Sequence, residues 1–329
     1  MDAEFPDTGT LAAVFTQALR APSIHNSQPW RWRVGDSTLS LFADPDVTLP
    51  HTDPDGRDRI LSCGAALHHG VVALAAAGWR AQIDRFPDPA NPDHLAVLRL
   101  FRAPTTESDI ALSAAIERRR TDRRRYSERP VPEPTLNTLT ARLQHYGLTV
   151  REVNARTRLA RIVSQSVRQH ASDTDYLAEL HMWSGRHASA TGVPARNTLP
   201  ADSTTANNGR AFAGGSLSEP HATGERDSSV VLALGTANDR WPAWLRAGEA
   251  TSAILLRATM SGLASCPMTE PLEIAETREA VMREIFGGRA TPQMLLRIGW
   301  APTDAEPLPW TPRRPVEAVV RRLDGSALR

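Results

Sequence analysis

Apolar positions recur at helical spacing over residues 8–20, where Leu11, Val14, Phe15, Ala18 and Leu19 share one face before Pro22 ends the run. Two short alternating runs, 30–34 and 39–42, flank Gly35-Asp36-Ser37 and predict a hairpin. A long apolar helix is predicted over roughly 56–77, stopped by Gly78, and a strand from His94 to Leu98 closes a first unit. Beyond it, Pro130-Val131-Pro132 leads into a predicted helix over 134–146, with Leu136, Leu139 and Leu143 on one side and Gly147 as its stop. A strand over 148–153 and an amphipathic helix over 155–171 follow. Strand 229–234, helix 247–262, a turn through Pro267 and strand 293–300 complete the second unit. In the tail, Val316, Val319, Val320 and Leu323 fall on one helical face, so the tail is expected to dock.

Residues 172–228 break this regularity. They are rich in Ala, Ser, Thr, Asn and Gly, relieved only by Tyr176-Leu177 and Met182-Trp183, and so long an excursion in a compact domain marks a functional or disordered segment. There is also a faint repeat. Residues 64–79 lie on 248–263 without a gap, matching Gly64 to Gly248, Ala66 to Ala250 and Gly78 to Gly262, which suggests a duplication. The expected units are residues 1–105 and 106–329.

Composition narrows the chemistry. The 41% apolar and 23% charged content is that of an ordinary globular chain. With 38 basic and 37 acidic residues, nothing favours bulk attraction to nucleic acid. Every basic residue is Arg, which excludes lysine Schiff bases and a Walker lysine and leaves anion binding to Arg, His, hydroxyls, amides and backbone N–H groups. Cys63 and Cys266 are far apart and form no CxxC pair, so each reads as a small buried apolar group in a reducing compartment. The N-terminus shows no basic-then-apolar leader, and no uninterrupted apolar run approaches ~20 residues, so a cytoplasmic chain without membrane contact is expected. The adjacent His68 and His69 diverge by about 100° on a helix and are not a metal pair. No GxGxxG, HExxH, zinc-spaced cluster or GxSxG is present.

The most informative segment is Pro22-Ser23-Ile24-His25-Asn26-Ser27-Gln28-Pro29-Trp30. It sets a hydroxyl and two amides on a loop after a helix, groups that suit a ligand rich in acceptors, or that simply cap a turn. The second feature is the run Arg118 to Arg125. Arg119, Arg120 and Arg123 have the forked donors that match a phosphate dianion, whereas Arg124 and Arg125 read as a solvated face. Arg313 and Arg314, held between prolines, suit a fixed anion.

The first segment resembles the PSxxNxQPW motif of the nitroreductase superfamily. Arg119-Arg120-Thr121-Asp122-Arg123 with Pro130-Val131-Pro132 is similar to that family's RRSxR…PVP opening, and Gly262 to Met268 to its loop past the flavin N5 edge. The arrangement looks closest to the Acg-type subgroup. The resemblance implies an α+β nitroreductase-like fold and an FMN held by Ser23, Asn26, Gln28, Arg119, Arg120, Thr121, Arg123, Pro267, Met268, Arg313 and Arg314. It also implies NAD(P)H as donor and a nitro-aromatic or quinone-like acceptor, with no catalytic side chain, because a flavin carries the redox chemistry itself.

In the family the two motifs that meet one FMN come from different subunits. Here the first unit has the PSxxN loop without RRSxR, and the second has RRSxR without PSxxN. The fused pair is therefore expected to build one site and lose the other, as a monomeric pseudo-dimer or a weak homodimer. An alternative remains open: residues 172–228, with Met182 and Trp183 as their apolar face, could form a lid over the flavin in a protein that sequesters or stores FMN.

Overall fold

A computed structural model describes residues 5–141, 143–185, 189–200, 210, 212–219, 227–302 and 304–328. Two sheets enclose a central pair of helices. The first sheet comprises β1 (Trp30–Val34), β2 (Thr38–Ala43), β3 (Trp79–Arg85), β4 (His94–Arg102) and β9 (Val320–Arg322), in the order β3-β4-β2-β1-β9. The second comprises β5 (Leu148–Glu152), β6 (Val230–Thr236), β7 (Ala264–Met268) and β8 (Thr291–Gly299), in the order β5-β6-β8-β7. All pairs are antiparallel except β9 on β1. Helix α2 (Arg57–Ala76) packs on the first sheet, α7 (Trp241–Met260) on the second, and the two helices pack on each other. The fold is α+β, as expected.

The α2–α7 contact follows the faint repeat. A Cβ built on Gly64 would lie 2.1 Å from the Leu245 carbonyl oxygen, and one on Gly248 would lie 2.0 Å from that of Leu61. The two glycines matched by sequence therefore face each other, each accepting the backbone of the opposite helix. Further along, His68 and His69 both place Nδ1 2.8 Å from Ser252 Oγ, and Val72 joins Leu256 in one buried cluster. The pairs 64 with 248, 68 with 252 and 72 with 256 keep one constant offset, so the helices run parallel with equivalent positions apposed.

Helix α2 has the length and mean hydropathy, 1.3, to cross a bilayer, but 78% of that stretch is buried in the fold. It reads as a core helix.

Several elements depart from the pattern expected. Helix α1 (Thr8–Ala18) is capped by Asp7, whose carboxylate accepts from the Thr10 N–H at 2.7 Å. Helix α3 (Glu107–Arg118) was not expected; Thr106 and Asp109 form its capping box. The helix expected over 134–146 stops as α4 (Glu133–Thr140) and resumes as a short 3-10 turn at Leu143–Tyr146. Arg257 donates to the carbonyls of Leu139 and Ala141 there, satisfying the broken end. The next helix, α5 (Arg156–Ala171), agrees with its prediction. The 172–228 excursion is not structureless: α6 (Thr174–Trp183) starts at Asp173, whose side chain accepts from the Asp175 and Tyr176 N–H groups. Pro267 lies within strand β7 at the sheet edge rather than in a turn, followed by α8 (Glu270–Glu273) and α9 (Ala275–Phe286). The tail docks, but only α10 (Val316–Val319) is helical. Val320 pairs with Trp32 as β9, and Leu323 is left exposed.

Two expectations follow for the central helix pair. Gly64→Ala and Gly248→Ala should each destabilise the fold by about 3 kcal/mol or more, read as a lowered urea midpoint, because the new methyl meets backbone rather than a flexible side chain. Burial also pulls the His68 imidazole from its ordinary 6.5 down to about 4. The folded chain then resists a proton that the unfolded chain accepts below 6.5. Stability should be intact above that pH and fall by on the order of 3 kcal/mol between 6.5 and 4. A His68→Gln variant should flatten that part of the profile.

Candidate functional site

The Pro22–Trp30 loop leaves α1 as a 3-10 turn, and His25, Asn26 and Gln28 all take left-handed backbone angles (φ 47°, 53° and 54°) that non-glycine residues seldom adopt. Side-chain bonds hold this shape. Ser23 Oγ accepts from the Gln28 N–H at 3.0 Å, and the Ile24 N–H donates to Ser62 Oγ on α2 at 3.1 Å. Asn26 Nδ2 donates to the carbonyls of Gly192 and Pro312. A strained loop overdetermined in this way is a mark of a binding site.

Opposite it, the arginine run follows the end of α3. Thr121 bridges to Ser265 of β7, which brings Pro267 alongside. The two segments meet at one cleft with two compartments. The first is lined by Ser23, His25, Thr121 and Arg123, with Leu61 and Ala65 of α2, Gly248 of α7, Pro267 and Met294, and encloses about 660 Å³ of empty space including its open mouth. This wall is largely apolar. The second is lined by Arg20, Arg119, Arg120, Arg123 and Arg313, with Ser23, Asn26 and Thr121.

The second compartment is strongly cationic. Burial, then the charges of Arg120 and Arg20, pull the Arg119 guanidinium down to about 10. Burial and Arg120 bring Arg20 to about 10, and burial with the same neighbours lowers Arg313 further. The buried Nε atoms of Arg20, Arg119, Arg120 and Arg313, with Arg119 Nη1, have no hydrogen-bond partner among the described residues. Buried donors of one sign without an anion are costly, and an anion would relieve them.

The expected residues divide. Ser23, Asn26, Arg119, Arg120, Thr121, Arg123, Pro267 and Arg313 line the cleft. Gln28 does not. Its amide donates to the carbonyls of Asn26 and Ala190 and accepts from the Arg314 N–H, so it is a clamp behind the loop. Arg314 turns away to Asp44. Met268 packs with Leu272 and Val281, because neighbours on a strand face opposite sides. Arg124 is no solvated residue: it is buried against Asp122 at 2.9 Å.

The lid face also differs from expectation. Helix α6 turns Tyr176 and Leu180 inward, leaving Met182 exposed, and neither Met182 nor Trp183 lines the cleft. The excursion reaches the first compartment through Arg210 and Phe212 instead, and the second through Val193 and Asn197. Phe212 stands edge-on to His25 at 5.9 Å, and Arg210 is paired with Glu273 and donates to Tyr176 Oη at 3.1 Å. Much of 198–218 lies outside the described residues.

His25 went unremarked inside a noted motif. It lines both compartments with Nδ1 buried and unpartnered, and burial followed by the Arg210 charge keeps it neutral. Arg20 carried no sequence signal beyond its place two residues before Pro22.

Inorganic phosphate should raise the melting temperature of the flavin-free protein, because it binds only the folded arginine cluster. Arg119→Met should abolish that response and melt higher than wild type without phosphate, since a buried unpaired charge has been removed.

A sequence model described as the Nitroreductase family matches residues 116–300, more than half of the chain. A candidate NAD(P)H nitroreductase of Mycobacterium tuberculosis is 54% identical over 97% of this chain and 93% of that protein. A second from the same organism, named Acg, is 39% identical over 95% of this chain and 97% of its own length. Among solved structures, the FMN-dependent nitroreductase NfnB of Mycobacterium smegmatis, in complex with NADPH, is 17% identical. It covers 65% of this chain and 99% of its own, with a TM-score of 0.42. The chain belongs to the nitroreductase family.

Proposed function

We propose that the chain holds one FMN across the junction of its two halves and passes electrons from NAD(P)H to a small nitro-aromatic or quinone-like acceptor. The observation that carries this reading is the set of arginines, with unpartnered buried donors, at one end of an apolar cleft. A dianionic phosphate fits the donors, and a ring system fits the largely apolar cleft beside them. The relatives' names agree with it. Uptake of a hydride and its delivery to an acceptor is the chemistry that FMN supplies when bound.

The chain's own residues bind and shield. Arg119, Arg120, Arg123 and Arg313 would grip the phosphate, with Ser23, Asn26 and Thr121 toward the ribityl chain. Leu61, Ala65 and Met294 would exclude water from the ring system. Ser23 and Asn26 come from the first half and Arg119 to Arg123 from the second, so the fusion acts as a monomeric pseudo-dimer with one site. A second reading, sequestration of FMN with little turnover, is favoured by Phe212 standing over the cleft with Arg210 pinned to Glu273.

Purified protein should be yellow, with about one FMN per chain. Two per chain would sink the one-site fusion, and none would sink the flavin reading. Arg120→Ala and Arg123→Ala should each weaken FMN by roughly 1.5–3 kcal/mol without unfolding the chain. Anaerobic NADPH or NADH should bleach the bound flavin, and turnover with a quinone then separates the readings. Slow wild-type turnover that Phe212→Ala accelerates marks a gated store, whereas fast turnover that the variant impairs marks an enzyme.

A further inference from the structure

Trp310 is half exposed, although large apolar side chains on this chain are mostly buried. Its surroundings give it a task. The Arg20 guanidinium lies 3.6 Å from the centroid of its ring and that of Arg120 lies 4.2 Å away. These two arginines arrive from the ends of α1 and α3, both line the cationic compartment, and each keeps a buried Nε without a partner. Like charges brought so near one another should splay toward water. The negative face of an indole attracts both and resists that.

The ring is itself held. The Pro309 carbonyl accepts from Asn197 Nδ2 at 2.9 Å, the Trp310 carbonyl from Arg196 Nη2 at 3.1 Å, and the Pro312 carbonyl from Asn26 Nδ2 at 3.1 Å. The tail is thus tied on one side to the 195–197 turn and on the other to the Pro22–Trp30 loop.

We propose that Trp310 is a positioning residue of the anion site, whose indole fixes the Arg20 and Arg120 guanidiniums before any phosphate arrives. The proposal rests on reading the cleft as a site for a phosphorylated flavin, and assigns to the tail the setting of preference for the phosphate. A free arginine side chain surrenders rotamer freedom when it grips an anion, and one already stacked on a ring has surrendered it beforehand.

The test compares wild type, Trp310→Phe and Trp310→Leu, each freed of flavin and titrated with FMN and with riboflavin. Leucine keeps apolar bulk and discards the aromatic face, and phenylalanine keeps the face. Trp310→Leu should bind FMN roughly five- to tenfold more weakly and riboflavin unchanged, while Trp310→Phe keeps most of the preference. The thermal shift with inorganic phosphate should shrink in the same order. In a double-mutant cycle, Arg20→Met should cost less in the leucine background than in wild type.

Trp310→Leu with wild-type preference would overturn the proposal, as would a parallel loss for both ligands, which marks a structural role alone. A wild type that does not distinguish FMN from riboflavin would overturn the phosphate reading, and this proposal with it.

Discussion

The approach of α2 to α7 is the constraint on which the rest depends. At Gly64 and Gly248 each helix presses its backbone into the space where the other would carry a side chain. That closeness fixes the two sheets relative to one another, since α2 rests on the first and α7 on the second. It also makes the floor of the cleft, where Leu61 and Ala65 of one helix meet Gly248 and Thr251 of the other.

Equivalent positions of the two helices are apposed, but the residues they carry on the two faces of the pair are not equivalent. At the position matched to Ala65, which lines the cleft, α7 carries Glu249, buried and gripped bidentately by Arg85 at 2.9 and 2.7 Å. A buried ion pair of this geometry fills space with satisfied polar groups.

Much of this was legible beforehand because long periodic helices and a loop motif leave strong traces. The hairpin, α2, α5 and the meeting of the Ser23 loop with Arg119 to Arg123 were read from such traces. The failures have particular causes. Motif membership does not say whether a side chain faces ligand or braces the loop, so Gln28 was placed in the site while it serves behind it. Pro267 inside β7 obeys the edge-strand exception and so looked like a turn. Helix α9 buries only Thr277, Val281 and Phe286, and five of its other nine residues are charged, which hides its period. Tyr176 and Leu180, one turn apart, form the inward face of α6. Met182 lies off that face, and Phe212 has no neighbours in sequence that reveal it.

The family sequence model spans residues 116–300, while the cleft does not fit inside that span. Ser23, His25, Asn26 and Arg20 precede it, and Arg313 follows it. The tail then crosses back to the first sheet, where Val320 pairs with Trp32 in register beside the strand that the Ser23 loop feeds. Arg313 in turn donates to the carbonyls of Arg20 and Ala21 at the end of α1. Arg123 likewise donates to the remote Asn197 carbonyl, and Arg20 and Arg120 stack on Trp310 of the tail. The cleft is a property of the whole chain, because Arg20 and the Ser23 loop come from its beginning, Arg119 to Arg123 from its middle and Arg313 from its tail.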